Sequence, residues 1–132
     1  MDAITSVLTP GNAAVVLLVN SLAWKLYMAA VWHDKINKAK DAAEVATIKG
    51  SAAFINSSSA QLNEAEWTPV LLAPLLFLAL KGAKAPVASA LAAFGSVMYP
   101  TARIVIGGFA PLGAGPRFLA LGMLSYAVYG AL

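Results

Sequence analysis

Between Ala13 and Trp32 the chain runs AAVVLLVNSLAWKLYMAAVW, 20 residues in which Lys25 is the only charge. A helix needs about 20 mostly apolar residues to cross a hydrocarbon core. Three later stretches have the same character, one ending at Leu80, one from Pro86 to Ile106 and one from Pro116 to Leu132. Only 11% of the residues are charged, whereas a soluble domain carries roughly 25%. A water-facing surface is hard to build from so few. The chain therefore reads as a single all-α integral membrane domain, a bundle of four transmembrane helices. Helix I covers about 13–36, a charged loop about 37–48, helix II about 49–80, helix III about 86–106 and helix IV about 116–132.

Asn20, Trp24, Tyr27 and Val31 recur at helical spacing and share one face of helix I, with Lys25 off that face. The stretch HDKINKAKDAAEVATIKG, residues 33–50, is the most charge-dense in the chain and reads as a solvated loop or amphipathic extension. Pro69 and Pro74 fall inside helix II and favour kinks. Pro100 does the same in helix III, where the hydroxyl of Ser96 is placed to compensate. Pro86 and Pro116 suit the first turns of helices III and IV, and the glycines at 107–108 and 113–115 mark the turn between them. Small residues (Ala88, Ala92, Ser96; Gly122, Ser125) favour close packing of helices III and IV. Asp2 is the only charge before Lys25, so the first apolar run lacks the basic flank of a cleaved signal peptide and reads as retained.

With no cysteine, disulfides, cysteine nucleophiles and zinc–sulfur sites are excluded, and with one histidine, His33, neither a classical catalytic triad nor a transition-metal centre is expected. Nucleophile-elbow, phosphate-loop and zinc-protease motifs are missing too. The net charge of +3 is spread over scattered lysines and arginines, which in a membrane chain report topology rather than nucleic acid. Four lysines in the first loop, with Arg103 and Arg117 flanking the third, outnumber the two of the Lys81–Lys84 turn. Loops I–II and III–IV are thus expected on the cytoplasmic side.

Span lengths and connectivity then bring Asn63, Glu66, Arg103 and Arg117 to that same membrane face. Asn63 and Glu66 are three apart and share a helix face that Pro69 continues, so Glu66 is expected inward and Glu64 in solvent. Arg117, in the first turn of helix IV, would add a full charge to the helix N-terminus and suit an anion. The cluster fits either a structural ion pair or a site for a small zwitterion.

The helix II stretch SAQLNEAEWTP, with Ala60, Asn63, Glu66 and Pro69 in place, is similar to a signature of the MAPEG family, the membrane-associated proteins of eicosanoid and glutathione metabolism. Ala102-Arg103, late in helix III, resembles the family's second signature, and Arg117 stands where the family has another arginine. The resemblance covers about Ala53 to the C-terminus. It implies a four-helix membrane bundle assembled as a homotrimer, with glutathione between subunits at the cytoplasmic side. It also implies thiolate stabilisation by Arg117 and glutathione contacts from Asn63 and Glu66, with Arg103 bracing the glutathione site or contacting it from the next subunit. A lipophilic small molecule would enter from the lipid bilayer as co-substrate.

The chain departs from the family at four positions. Ser59 and Asn56 stand where arginines are usual, and Ile106 and Ala110 where tyrosines help hold glutathione. Two expectations follow. One is a glutathione-dependent transferase or peroxidase acting on lipophilic electrophiles. The other is a non-catalytic structural or accessory subunit among other membrane subunits.

Overall fold

A computed structural model of the chain describes residues 8–107 and 111–132, and among these every regular element is a helix. Helix α1 spans Pro10–Asn37, α2 Ala42–Gly50, α3 Ala52–Leu80, α4 Pro86–Ile106 and α5 Pro111–Ala131. Two of them, α1 and α4, are long and apolar enough to cross a membrane.

Local chemistry sets the helix ends. Thr9 caps α1, its hydroxyl accepting from the Asn12 amide at 3.2 Å, and Pro10 takes the first position, where no amide donor is needed. Residues Met28–His33 of α1 form a π-helical turn that carries the helix on to Asn37. The segment expected to be a loop, about 37–48, instead folds mostly into α2. Asp41 caps it by accepting from the Glu44 amide at 2.8 Å, and the Glu44 carboxylate accepts from the Lys40 amide at 2.8 Å. These reciprocal bonds resemble a capping box and explain why a charged stretch becomes helical. Ser51 separates α2 from α3. Its hydroxyl donates to the Ile48 carbonyl at 2.7 Å and accepts from the Phe54 amide at 3.2 Å, closing one helix and opening the next. Helix α3 ends in a Schellman turn, with Ala83 N–H bonded to the Leu78 carbonyl, Gly82 N–H to that of Ala79, and Gly82 at φ 64°.

Helix α1 packs on α3 and α4, α3 on α4 and α5, and α4 on α5. One core joins them: Ala14 and Leu17 from α1, Leu71, Leu75 and Leu78 from α3, Ala88 and Ala92 from α4, Ala120 and Leu124 from α5. Alanines facing leucines let the helices approach closely. The buried positions of α3 are Ser57, Ala60, Glu64, Thr68, Leu71, Leu75 and Leu78, a continuous stripe at three- and four-residue steps. Large apolar side chains face outward on the long helices. Val19, Leu22 and Leu26 of α1 and Phe118, Tyr126 and Tyr129 of α5 are all exposed.

Helix α5 begins at Pro111, five positions before the expected start at 116, so Pro116 and Gly113 lie within it. Of the small residues expected between the last two helices, Ala88, Ala92 and Ser96 are buried, but Gly122 and Ser125 face outward. The close approach is made by Gly113 instead. A Cβ there would overlap the backbone of Tyr99, so only glycine fits without moving α4.

Candidate functional site

The polar residues meet in the middle of the bundle rather than at its edge. Arg117 is 0% exposed and Glu64 1%. Arg117 extends from the second turn of α5, not the first, and its Cγ passes so close to Gly95 that a Cβ there would approach it to 2.8 Å. Two glycines, Gly95 and Gly113, thus open the channel through which the arginine reaches α3.

Arg117 Nη1 donates to Asn63 Oδ1 at 2.7 Å, and Nη2 forms an ion pair with Glu64 Oε2. Nη2 also donates to the Ser96 carbonyl at 3.3 Å. The Thr68 hydroxyl donates to Glu64 Oε1 at 3.2 Å. Tyr99 lies with its ring 4.9 Å from the guanidinium carbon, and Trp67 lies at 6.0 Å. The charge is therefore met by a carboxylate, an amide, a carbonyl and two aromatic faces, an arrangement that offsets much of the cost of burial.

The Ser96 carbonyl has a specific reason to be available. In an α-helix it would accept from the amide of residue 100, and that residue is Pro100, which has no N–H. The freed oxygen is taken by Arg117 and by Asn20 Nδ2 of α1, the latter at 2.9 Å. The Ser96 hydroxyl, expected to compensate for the proline, makes no hydrogen bond among the described residues. One proline thus draws a donor from α1 and another from α5 onto α4, and the Glu64 and Asn63 side chains complete the junction from α3. All four long helices meet here. Ser96 is the eleventh of the 21 residues of α4, about 15 Å from either end of that helix at 1.5 Å per residue.

Of the four residues singled out in the sequence, the structure brings two into contact, Asn63 and Arg117. Glu66 is exposed, and its neighbour Glu64 is the inward carboxylate, which reverses the expected assignment. The physical cause lies in the buried stripe of α3. Stepping back from Leu78, Leu75 and Leu71 by threes and fours gives Thr68, Glu64 and Ala60, and places Glu66 and Pro69 on the outer face. That stripe was the signal that could have found Glu64. Arg103 is half-buried late in α4 and is not among the polar partners of Arg117. Asn20, on the face of α1 that the spacing marks out, is an interhelical donor. Trp24 and Tyr27 lie on the half-buried face of α1 as the spacing implied, their rings 5.5 Å apart, and Lys25 is exposed. Ile106 is exposed near the end of α4, and Ala110 lies outside the described residues.

A guanidinium already paired with a carboxylate and sealed from solvent can hold helices in register. A second anion would have to enter the sealed core to reach it, where the Arg117 Nε is buried without a hydrogen-bond partner among the described residues. No group of three or more metal-binding side chains occurs among the described residues. Comparison of the chain with protein-family models, with curated proteins and with solved structures gives no match.

Proposed function

We propose that the chain is a four-span integral membrane bundle of the MAPEG type whose polar centre is a structural lock, and that it acts as a non-catalytic structural or accessory subunit in a membrane assembly. The observation that carries this reading is the complete burial of Arg117 against Glu64. A thiolate placed beside this arginine would also lie beside the carboxylate that neutralises it. Loss of the guanidinium–carboxylate pair inside an apolar bundle is strongly unfavourable, so the site resists being turned over to a ligand.

The membrane assignment rests on an inside-out distribution of polarity. One ion pair, Glu64–Arg117, sits at the centre with Asn20 and Asn63 beside it, while valines, leucines and aromatics are exposed on the long helices. In lipid, such a surface needs no partner. Helices α3 and α5 would be the two further spans, α3 interrupted by Pro69 and Pro74 and α5 by Pro116. Loop lysines would hold α2 and the adjoining turns on the cytoplasmic side.

A glutathione transferase is the second reading, favoured by one observation. Asn63 and Arg117, to both of which the family resemblance gives a part in glutathione binding, do touch across 54 positions. Asn63 is half-buried and Glu66 exposed, so a neighbouring subunit could complete a glutathione site on that side, with Arg103 bracing it. That mechanism requires the thiolate to enter the core and reach the buried guanidinium, whose Nε has no hydrogen-bond partner among the described residues.

The composition of the purified assembly in mild detergent, measured together with equilibrium dialysis against glutathione, tests the choice. One copy among different chains with no saturable glutathione uptake is expected. A homotrimer that binds glutathione saturably overturns the non-catalytic reading and supports the transferase.

A further inference from the structure

We propose that an acyl chain of an anionic membrane phospholipid lies in the furrow between the first turn of α4 and the outward face of α5, with its phosphate against Lys84. The inference rests on the membrane reading above, and on neither choice between subunit and enzyme.

The furrow has a volume of about 630 Å³, within the range of small-ligand pockets. Gly122 forms its floor, and Phe118 and Tyr126 stand four residues to either side on the same helix face. Both aromatics project outward, 64% and 81% exposed, so they wall a notch rather than fill it. A Cβ added at Gly122 would meet no atom within 4 Å, which shows that the notch is open space. Val87 and Met123 complete apolar sides. From Phe118 to Tyr126 the notch follows about 12 Å of helix at 1.5 Å per residue. A hydrocarbon-lined furrow on a lipid-facing surface offers water nothing to bond and accepts an acyl chain.

Charge at the mouth selects the headgroup. Lys84 lines the furrow two residues before α4 begins, and Lys81 lies in the same turn. Neither makes an ion pair among the described residues. Ala85, at the cap position of α4, provides no side-chain acceptor for the first-turn amides, so the positive end of that helix adds to the lysine field. On the leaflet that this turn faces, opposite α2, the Lys84 ammonium would favour an anionic over a zwitterionic headgroup by about fivefold, taking for one lysine the attraction that a basic side chain has to an anionic membrane surface.

Trp67 offers a built-in reporter, because its ring stacks edge-on against Phe118 at 4.7 Å. The protein, with Trp24→Phe and Trp32→Phe in place, would be reconstituted in phosphatidylcholine nanodiscs. Brominated phosphatidylglycerol or brominated phosphatidylcholine would then be titrated in as quencher. Saturable quenching of Trp67 at about fivefold lower mole fraction of the anionic lipid is expected. Gly122→Leu, which has room for its side chain, should remove the saturable component, and Lys84→Gln should make the two lipids equal. Equal quenching by both lipids in the parent protein, or unchanged quenching in Gly122→Leu, overturns the proposal. Stronger quenching by a brominated free fatty acid than by either phospholipid overturns the assignment to phospholipid. Release of the chain from membranes by alkaline carbonate is a separate result and would overturn the membrane reading itself.

Discussion

The guanidinium of Arg117 and the carboxylate of Glu64, 53 positions apart in the sequence, form an ion pair from which solvent is excluded. Each leaves an uncompensated charge in an apolar interior if the other is lost. Glu64→Ala or Arg117→Ala alone should therefore cost about 3–5 kcal/mol. The double variant Glu64→Leu/Arg117→Met removes both charges and should recover most of that loss. Unfolding in mixed micelles by a denaturing detergent reads the difference. Losses that simply add in the double variant would contradict the lock.

Pro100 and Asn20 are coupled through an oxygen that belongs to neither. Pro100 leaves the Ser96 carbonyl without its helical donor, and Asn20 Nδ2 supplies one at 2.9 Å. Pro100→Ala restores an N–H to that position of α4. Asn20→Leu should then cost about 1 kcal/mol less in the Pro100→Ala background than in the parent. A cycle with no coupling would show that Asn20 contributes by shape alone.

Glycine at 113 is required by the closeness of α4, whereas glycine at 115 has open space around it. Gly113→Ala forces α5 away from Tyr99 and should destabilise the bundle by about 1–3 kcal/mol. Gly95→Ala should act in the same direction, because its methyl group would meet Arg117 Cγ and the Gly113 carbonyl. Gly115→Ala should be tolerated. Equal stability of all three variants by thermal unfolding would mean that the two helices separate without cost.

The helices were legible in the sequence because long apolar runs bounded by Pro86, Gly107 and the Lys81–Lys84 turn leave little freedom in placing them. The start of α5 was less so. Gly113, Gly115 and Pro116 carry every local mark of a turn, yet tertiary contact with α4 makes glycine useful inside a helix. The centre of the bundle was half legible. Asn63 and Arg117 could be paired from connectivity. The choice between Glu64 and Glu66 was decided by the leucine stripe of α3, which outweighs the local pairing of Asn63 with Glu66 because burial of Leu71, Leu75 and Leu78 fixes the helix rotation. The role of Asn20 depends on a backbone oxygen of another helix, and no residue pattern announces that.

Exposed Glu66 is expected to matter little to the single chain. Glu66→Gln should change stability by no more than about 0.5 kcal/mol, as is usual for surface substitutions. Glu64→Gln, two positions away, should lower the denaturing-detergent midpoint clearly. The reverse order would restore Glu66 as the inward acid.

Thiolate formation by bound glutathione tests the central claim most directly, since it reads whether Arg117 has charge to spare. Purified protein would be titrated with glutathione to millimolar concentration at neutral pH while thiolate absorbance is followed, beside Glu66→Gln as a folded control. With Arg117 committed to Glu64, no thiolate band should develop in either protein. A saturable thiolate band in the parent protein would contradict the account and show that this arginine serves a ligand.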